Sequence, residues 1–313
     1  MVYETNPLSS SNLSLEKNQK TNYSNKRAPS KKRKFMRFLS TLITLCILGY
    51  GIWWINDTRP ELKQKALEMI NTGTFLTLEA RYTSKQIMEK ERSTLLKDPQ
   101  HRYTDPSQKF HPYLLMEVKY TNPDMTTGEG IILWDLIDGE MVVDVKNWEK
   151  THGFADCINS NADRYEFRIL NIISKNGGSA DRQTLMNGLN IENSLLDSWI
   201  DRCQKKKLIV KNGNRYRIHL SNPKINVTPA TRIDVPLVTK NCKHTERITR
   251  RFTTSQIQKA AEFAFGTDFA VRNIIDVFLP IYSITVQNPD GSIHTTHWNA
   301  LNGQKISHSS LIE

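Results

Sequence analysis

Apolar and polar positions alternate with different rhythms along this chain, and each rhythm predicts a different element. Residues 38–55, FLSTLITLCILGYGIWWI, carry no charge. As a helix rising about 1.5 Å per residue they reach about 27 Å, close to the ~30 Å hydrocarbon core of a bilayer, so one transmembrane helix is expected. Pro60, shortly after Thr58, opens a further helical stretch that predicts a stalk over 56–72. A period near 3.6 over 165–173, 181–188 and 191–207 predicts three amphipathic helices, the last with Leu195, Leu196, Trp199, Ile200 and Cys203 on one face. Two runs of strand-forming residues over 208–220 meet at Asn212-Gly213, the dipeptide of tight hairpins.

The pattern also repeats. Arg81-Tyr-Thr-Ser-Lys-Gln-Ile87 returns as Arg251-Phe-Thr-Thr-Ser-Gln-Ile257, each a Ser/Thr cluster leading into a helix in the manner of an N-cap. Phe110-His-Pro112, Asn122-Pro-Asp124, Trp134-Asp135 and Asp138-Gly139 are echoed by Phe278-Leu-Pro280, Asn288-Pro-Asp290, Trp298-Asn299 and Asn302-Gly303, with offsets between 164 and 170. Each copy reads as a strand, a helix, and strands joined by turns. The fold class expected is α+β: a transmembrane helix, then two related α+β modules (73–160 and 244–310) flanking a helical insert (161–221), with an extended Pro-containing linker over 222–243. The stretch 281–306 is similar to the hairpins of PepSY-type exported modules, over too short a span to imply a function.

Three helices closed by a hairpin over 163–220 resemble a winged-helix domain. That resemblance implies a third helix lying in the major groove and a wing touching phosphate. The leading positions of that helix, Glu192, Asn193, Ser194, Asp197 and Ser198, include two acids and no Arg or Lys to reach guanine. The cations lie elsewhere, Lys205, Lys206 and Lys207 at the helix's far end and Lys211, Arg215 and Arg217 on the wing. They are possible nucleic-acid or partner contacts, with DNA disfavoured because the stripe that reads bases is missing.

Charge places the chain. The net charge is +11, of which the first 37 residues supply +7, from nine Lys/Arg against Glu4 and Glu16. That tail is poor in large apolar residues and should be disordered. Lys31, Lys32, Arg33, Lys34 and Arg37 crowd one end of the apolar stretch, while Trp53 and Trp54 close the other at the height favoured by amphipathic rings. The positive-inside rule then puts the N-terminus in the cytoplasm and the rest across the membrane, in the periplasm if the source has two membranes. A DNA-binding regulator tethered in the cytoplasm is the alternative.

Candidate chemistry is thin. No phosphate-loop, dinucleotide, zincin or nucleophile-elbow pattern occurs. His294 and His297 stand three apart in an expected strand and so face opposite ways. His152, Asp156 and Cys157 suggest a Cys nucleophile only if the fold brings a base to the thiol. Glu129, Asp135, Asp138, Glu140 and Asp144 read as a solvated sheet face. Cys157 and Cys242 flank the insert and could be bridged in an oxidising compartment. No enzyme activity, cofactor, metal or small-molecule substrate is inferred, and the expected role is binding another protein at the envelope.

Overall fold

The computed structural model describes residues 73–122, 124–243 and 245–306, with Leu45, Cys46 and Tyr50. The latter three are helical and exposed. The rest of 38–55 with Trp53 and Trp54, the basic residues Lys31, Lys32, Arg33, Lys34 and Arg37, and the stalk lie outside the described residues. Among the described residues no helix is long and apolar enough to cross a membrane.

The large unit is α+β, with the elements β1 (Thr74–Leu78), α1 (Ser84–Lys90), α2 (Arg92–Leu95), β2 (Arg102–Tyr103), β3 (Ser107–Thr121), β4 (Thr127–Asp135), β5 (Met141–Asp144), β6 (Glu149–Lys150), α3 (Phe154–Asn159), α4 (Arg164–Lys175), β7 (Ser179–Asp181), α5 (Arg182–Leu189), α6 (Asn193–Lys205), β8 (Ile209–Asn212), β9 (Arg215–Ile218), β10 (Leu237–Asn241), β11 (Glu246–Arg247), α7 (Thr254–Phe265), β12 (Ala270–Gln287), β13 (Ile293–Asn299) and β14 (Lys305–Ile306). An 11-stranded sheet runs β10-β1-β12-β3-β4-β5-β6, with β13 and β14 continuing from one end of β12. Its centre is the long antiparallel pair β3 and β12.

The two copies of the repeat share this sheet, and they interlock. β1 pairs in parallel with β12 of the other copy, and β11 pairs in parallel with β3. The backbone N–H groups of Arg81 and Tyr82 donate to Ala300 C=O, and those of Arg251 and Phe252 donate to Leu136 C=O. Thr83 caps α1 through a reciprocal box with Gln86, and Thr253 caps α7 with Gln256 in the same way. Each cap satisfies helix N–H groups that otherwise have no partner. It also drops Ile87 or Ile257, both fully buried, onto the sheet. At the seam Phe110 and Phe278 meet the same ring, Phe75, edge-on at 5.0 and 5.2 Å.

The two faces of the sheet pack differently because alternate residues of a strand point to opposite sides. Leu114, Met116, Ile132 and Trp134 face α3, α4 and α7, and this core continues without a break into the insert through Phe167, Leu170, Leu196 and Trp199. Asn171 Nδ2 in α4 donates to Ala264 C=O in α7, stitching the insert to the second copy. On the other face Tyr113, Leu115, Leu133, Leu279 and Ile281 pack with Val235 of the linker. Where β4 and β5 splay apart, Thr231 fills the gap: its Oγ1 accepts from Leu133 N–H at 2.9 Å and donates to Val142 C=O at 2.5 Å. The linker runs extended over the sheet and ends as β10, paired with β1.

Within the insert, α4, α5 and α6 pack beside a small three-stranded sheet ordered β7-β9-β8. Asp163 and Glu166 form the capping box of α4, and Gly213 takes φ +59° at the hairpin tip. The strand β7, wedged between the Gly177-Gly178 break and α5, has too few residues to leave a periodic trace. One expected core position is corrected: Leu195 is exposed, and Leu196 takes the inward place because it shares a face with Trp199 and Cys203 at the three- and four-residue spacing of a helix.

Candidate functional site, a cleft around a buried ion network

The acidic group read as a solvated sheet face is mostly inside the protein: Asp135, Glu140 and Asp144 are buried, and Glu129 is exposed. Burial of a carboxylate is costly unless it is paired and hydrogen-bonded, and these are. Asp135 closes β4. Its Oδ1 accepts from Ile137 N–H at 2.7 Å and from Asp138 N–H at 3.2 Å, which turns the chain toward Gly139. The same oxygen receives His111 Nε2 from β3 at 2.8 Å, while Oδ2 receives Lys150 Nζ from β6 at 2.6 Å. Lys150 also donates to Asp138 Oδ2 at 2.6 Å and lies over the Tyr113 ring.

The charge states follow from these contacts. Burial acts to raise the Asp135 pKa, but the charges and hydrogen bonds of His111 and Lys150 outweigh it and hold the carboxyl well below the usual range. Asp138 is pushed up, first by burial and then by Asp135 beside it. For Lys150, burial acts downward, yet Asp135, Tyr113 and Asp138 lift it well above the ordinary lysine value. Burial and Asp135 raise the Tyr113 phenol in turn. An ionised carboxylate can only accept, so His111 Nε2 carries the proton it shares with Asp135. Glu140 has a different duty. Its oxygens accept from Thr151 Oγ1 at 2.7 Å and from the N–H groups of Gly153 and Ala155 at 2.8 and 3.1 Å, so it ties the start of α3 to β5.

The network forms one side of a cleft of about 690 Å³. His111, Tyr113 and Asn299 line it, with Lys150 and Lys224 on the β6 side and Lys305 on the β14 side. Lys224 pairs with Glu149, while Lys305 is exposed. Two nitrogens in this lining are buried without a hydrogen-bond partner, His111 Nδ1 and Asn299 Nδ2.

Asn299 occupies in the second copy the place of Asp135 in the first. Its Oδ1 accepts from Leu301 N–H at 2.8 Å, matching Asp135 on Ile137, and its N–H donates to Gln304 C=O as that of Asp135 does to Glu140. The second copy carries Leu279 where the first has His111, so the ion network exists in one copy alone. The chain matches no protein-family model, no curated protein and no solved structure.

The residues singled out from sequence fall elsewhere. Cys157 is fully buried in α3, its thiol pushed up by burial and by Glu140 and Asp156, so it is not set up as a nucleophile. His152 is exposed and bridges to Lys224 through its backbone. The bridge between Cys157 and Cys242 is not formed: all four cysteines are free, and the two pack in separate clusters. His294 is exposed, whereas His297 is buried with its Nδ1 on Ser283 Oγ at 2.9 Å. No group of three metal-ligating side chains occurs among the described residues.

Of the six cations proposed for contacts, Lys206 is spent on buried Glu166 and Asn161 C=O, and Arg215 on Ser179. Lys205, Lys207, Lys211 and Arg217 are exposed. Composition gives no warning of the ion network, since Asp135 and Lys150 look like ordinary surface charges. The one available signal was the mismatch inside the repeat, Trp-Asp against Trp-Asn and Phe-His-Pro against Phe-Leu-Pro.

Proposed function

We propose that the chain is a single-pass, membrane-anchored protein without enzymatic activity, whose exported region holds a winged-helix domain between two related α+β modules and binds another protein at the cell envelope. The observation that carries this reading is the outward face at the start of α6. Glu192, Asn193, Ser194, Leu195, Asp197 and Ser198 are all exposed there, with no cation among them. The guanidinium that reaches this face, Arg182, is held by Asp197 at 2.9 Å. Placed against DNA, this face would set carboxylates beside phosphates. Placed against a protein it offers an exposed leucine in a polar rim, a common interface composition.

The second reading, a tethered DNA-binding regulator, draws on Lys205, Lys207, Lys211 and Arg217. It requires steeply salt-dependent binding of duplex DNA by the full chain. The test is a photo-cross-linking residue at Ser198 in the full-length chain in its native membrane. A discrete protein adduct supports the proposal. The absence of any adduct, together with low-salt DNA binding lost on changing Lys211 and Arg217, overturns it.

A further inference from the structure

Two buried polar nitrogens without partners in one cleft call for an explanation, because native interiors leave few such groups unpaired. His111 is 2% exposed and Asn299 is 1% exposed, and both line the cleft. Asn299 Nδ2 can only donate. His111, with Nε2 committed to Asp135, has Nδ1 left over. A ligand that carries hydrogen-bond donors and acceptors along its length can satisfy both.

The charges in the lining narrow the choice. Lys150 is matched by Asp135 and Asp138, and Lys224 by Glu149, so neither is left for an anion deep in the cleft. The depth therefore suits a neutral group. One wall is a sheet end, since among the described strands β14 pairs only with β13, while on the other wall the chain after β6 is already bridged to Lys224 at His152. Strand ends with one open side recruit extended backbone, whose N–H and C=O groups alternate along it.

We infer that the cleft binds an extended peptide segment, a peptide group hydrogen-bonding to His111 Nδ1 and a peptide C=O accepting from Asn299 Nδ2. An acidic side chain on the segment pairs with Lys305 at the rim. The cleft volume is within the range of about 300–1,000 Å³ that ligand sites show. This inference rests on the protein-binding reading and locates part of its partner.

The probes are linear heptapeptides enriched from a random phage-displayed library on the detergent-solubilised full chain, synthesised with acetylated and amidated ends, with succinate as a small dicarboxylate for comparison. N299D keeps the Oδ1 cap on Leu301 and deletes the donor, as Asp135 does naturally in the first copy. The expected result is saturable peptide binding that N299D weakens at least tenfold. In histidine-labelled protein the His111 Nδ1 resonance, assigned with H111Q, moves on peptide addition and not with succinate. If N299D loses its thermal transition, the Nδ1 resonance decides alone. A library that yields no binder overturns the inference, as does succinate alone moving His111. Peptides that bind with His111 silent and N299D unaffected also overturn it while leaving the protein-binding reading intact. The Ser198 cross-link tests that wider reading independently.

Discussion

Asp135→Asn is the sharpest test of the buried network, because the amide keeps the shape and the turn-capping Oδ1 and removes only the charge. At 2.6 Å the carboxylate and the Lys150 ammonium attract each other by about 6 kcal/mol at an effective dielectric of about 20. Desolvation of both ions cancels much of that, at several kcal/mol per ion, so the pair as a whole contributes little. Removing one partner differs, since the other stays buried and uncompensated at a cost of about 3–5 kcal/mol. Asp138 remains on Lys150 in the variant. The low end, about 3 kcal/mol, is therefore expected. For a unit of this size that is a fall in Tm of about 6–12 °C. The assay is thermal and urea unfolding of the full chain in detergent, with D135N, K150M and the double variant completing a cycle. D135N/K150M should cost less than the two single changes added, because each single change leaves one member of the pair without the other. A D135N midpoint within about 2 °C of the parent, or a double variant as damaged as the two single changes added, would refute the argument.

Other consequences can be measured on the same protein. Lys150 and Tyr113 both have raised folded-state pKa values, so their contributions are complete below about pH 10 and disappear as pH rises through the folded values. Unfolding midpoints should thus fall steeply in alkali, and less steeply in Y113F; a flat profile contradicts the assignment. Thr83→Ala and Thr253→Ala should each cost about 1 kcal/mol by loss of a cap, and the double variant should cost the sum, read from urea midpoints. Gly139→Ala places a Cβ about 2.7 Å from the Phe252 ring, whereas at Gly303 the nearest atom of Tyr82 is 3.5 Å away, so G139A should lose more stability than G303A although both take positive φ. A thiol reagent should reach Cys157 and Cys203 only after denaturant is added, because both are fully buried.

How far the sequence foretold this arrangement depends on the range over which each signal acts. Local grammar was legible: the N-caps at the Ser/Thr clusters before α1 and α7, the Asn212-Gly213 hairpin and the amphipathic α4 are set by neighbours within a few residues. The repeat was legible for the same reason, since Trp134 and Trp298 sit beside recurring turn residues. What was hidden is non-local. The parallel pairing of β1 with β12 joins Leu76 to Val277, and no periodicity in either strand announces its partner. Leu195 was misplaced because neighbouring leucines on a helix differ in facing by about 100°, and only packing decides which turns inward. The ion network joins positions 111, 135 and 150 from three strands, and an isolated aspartate or lysine reads as a surface charge until the fold brings its partner.

The claim on which the proposed role depends is that residues 73–306 lie across the membrane from the basic tail. A reporter fused after Glu313, active on one side of the membrane only, measures this directly. The account predicts activity on the side opposite Met1. Activity on the same side as Met1 contradicts it and moves the balance to the DNA-binding alternative.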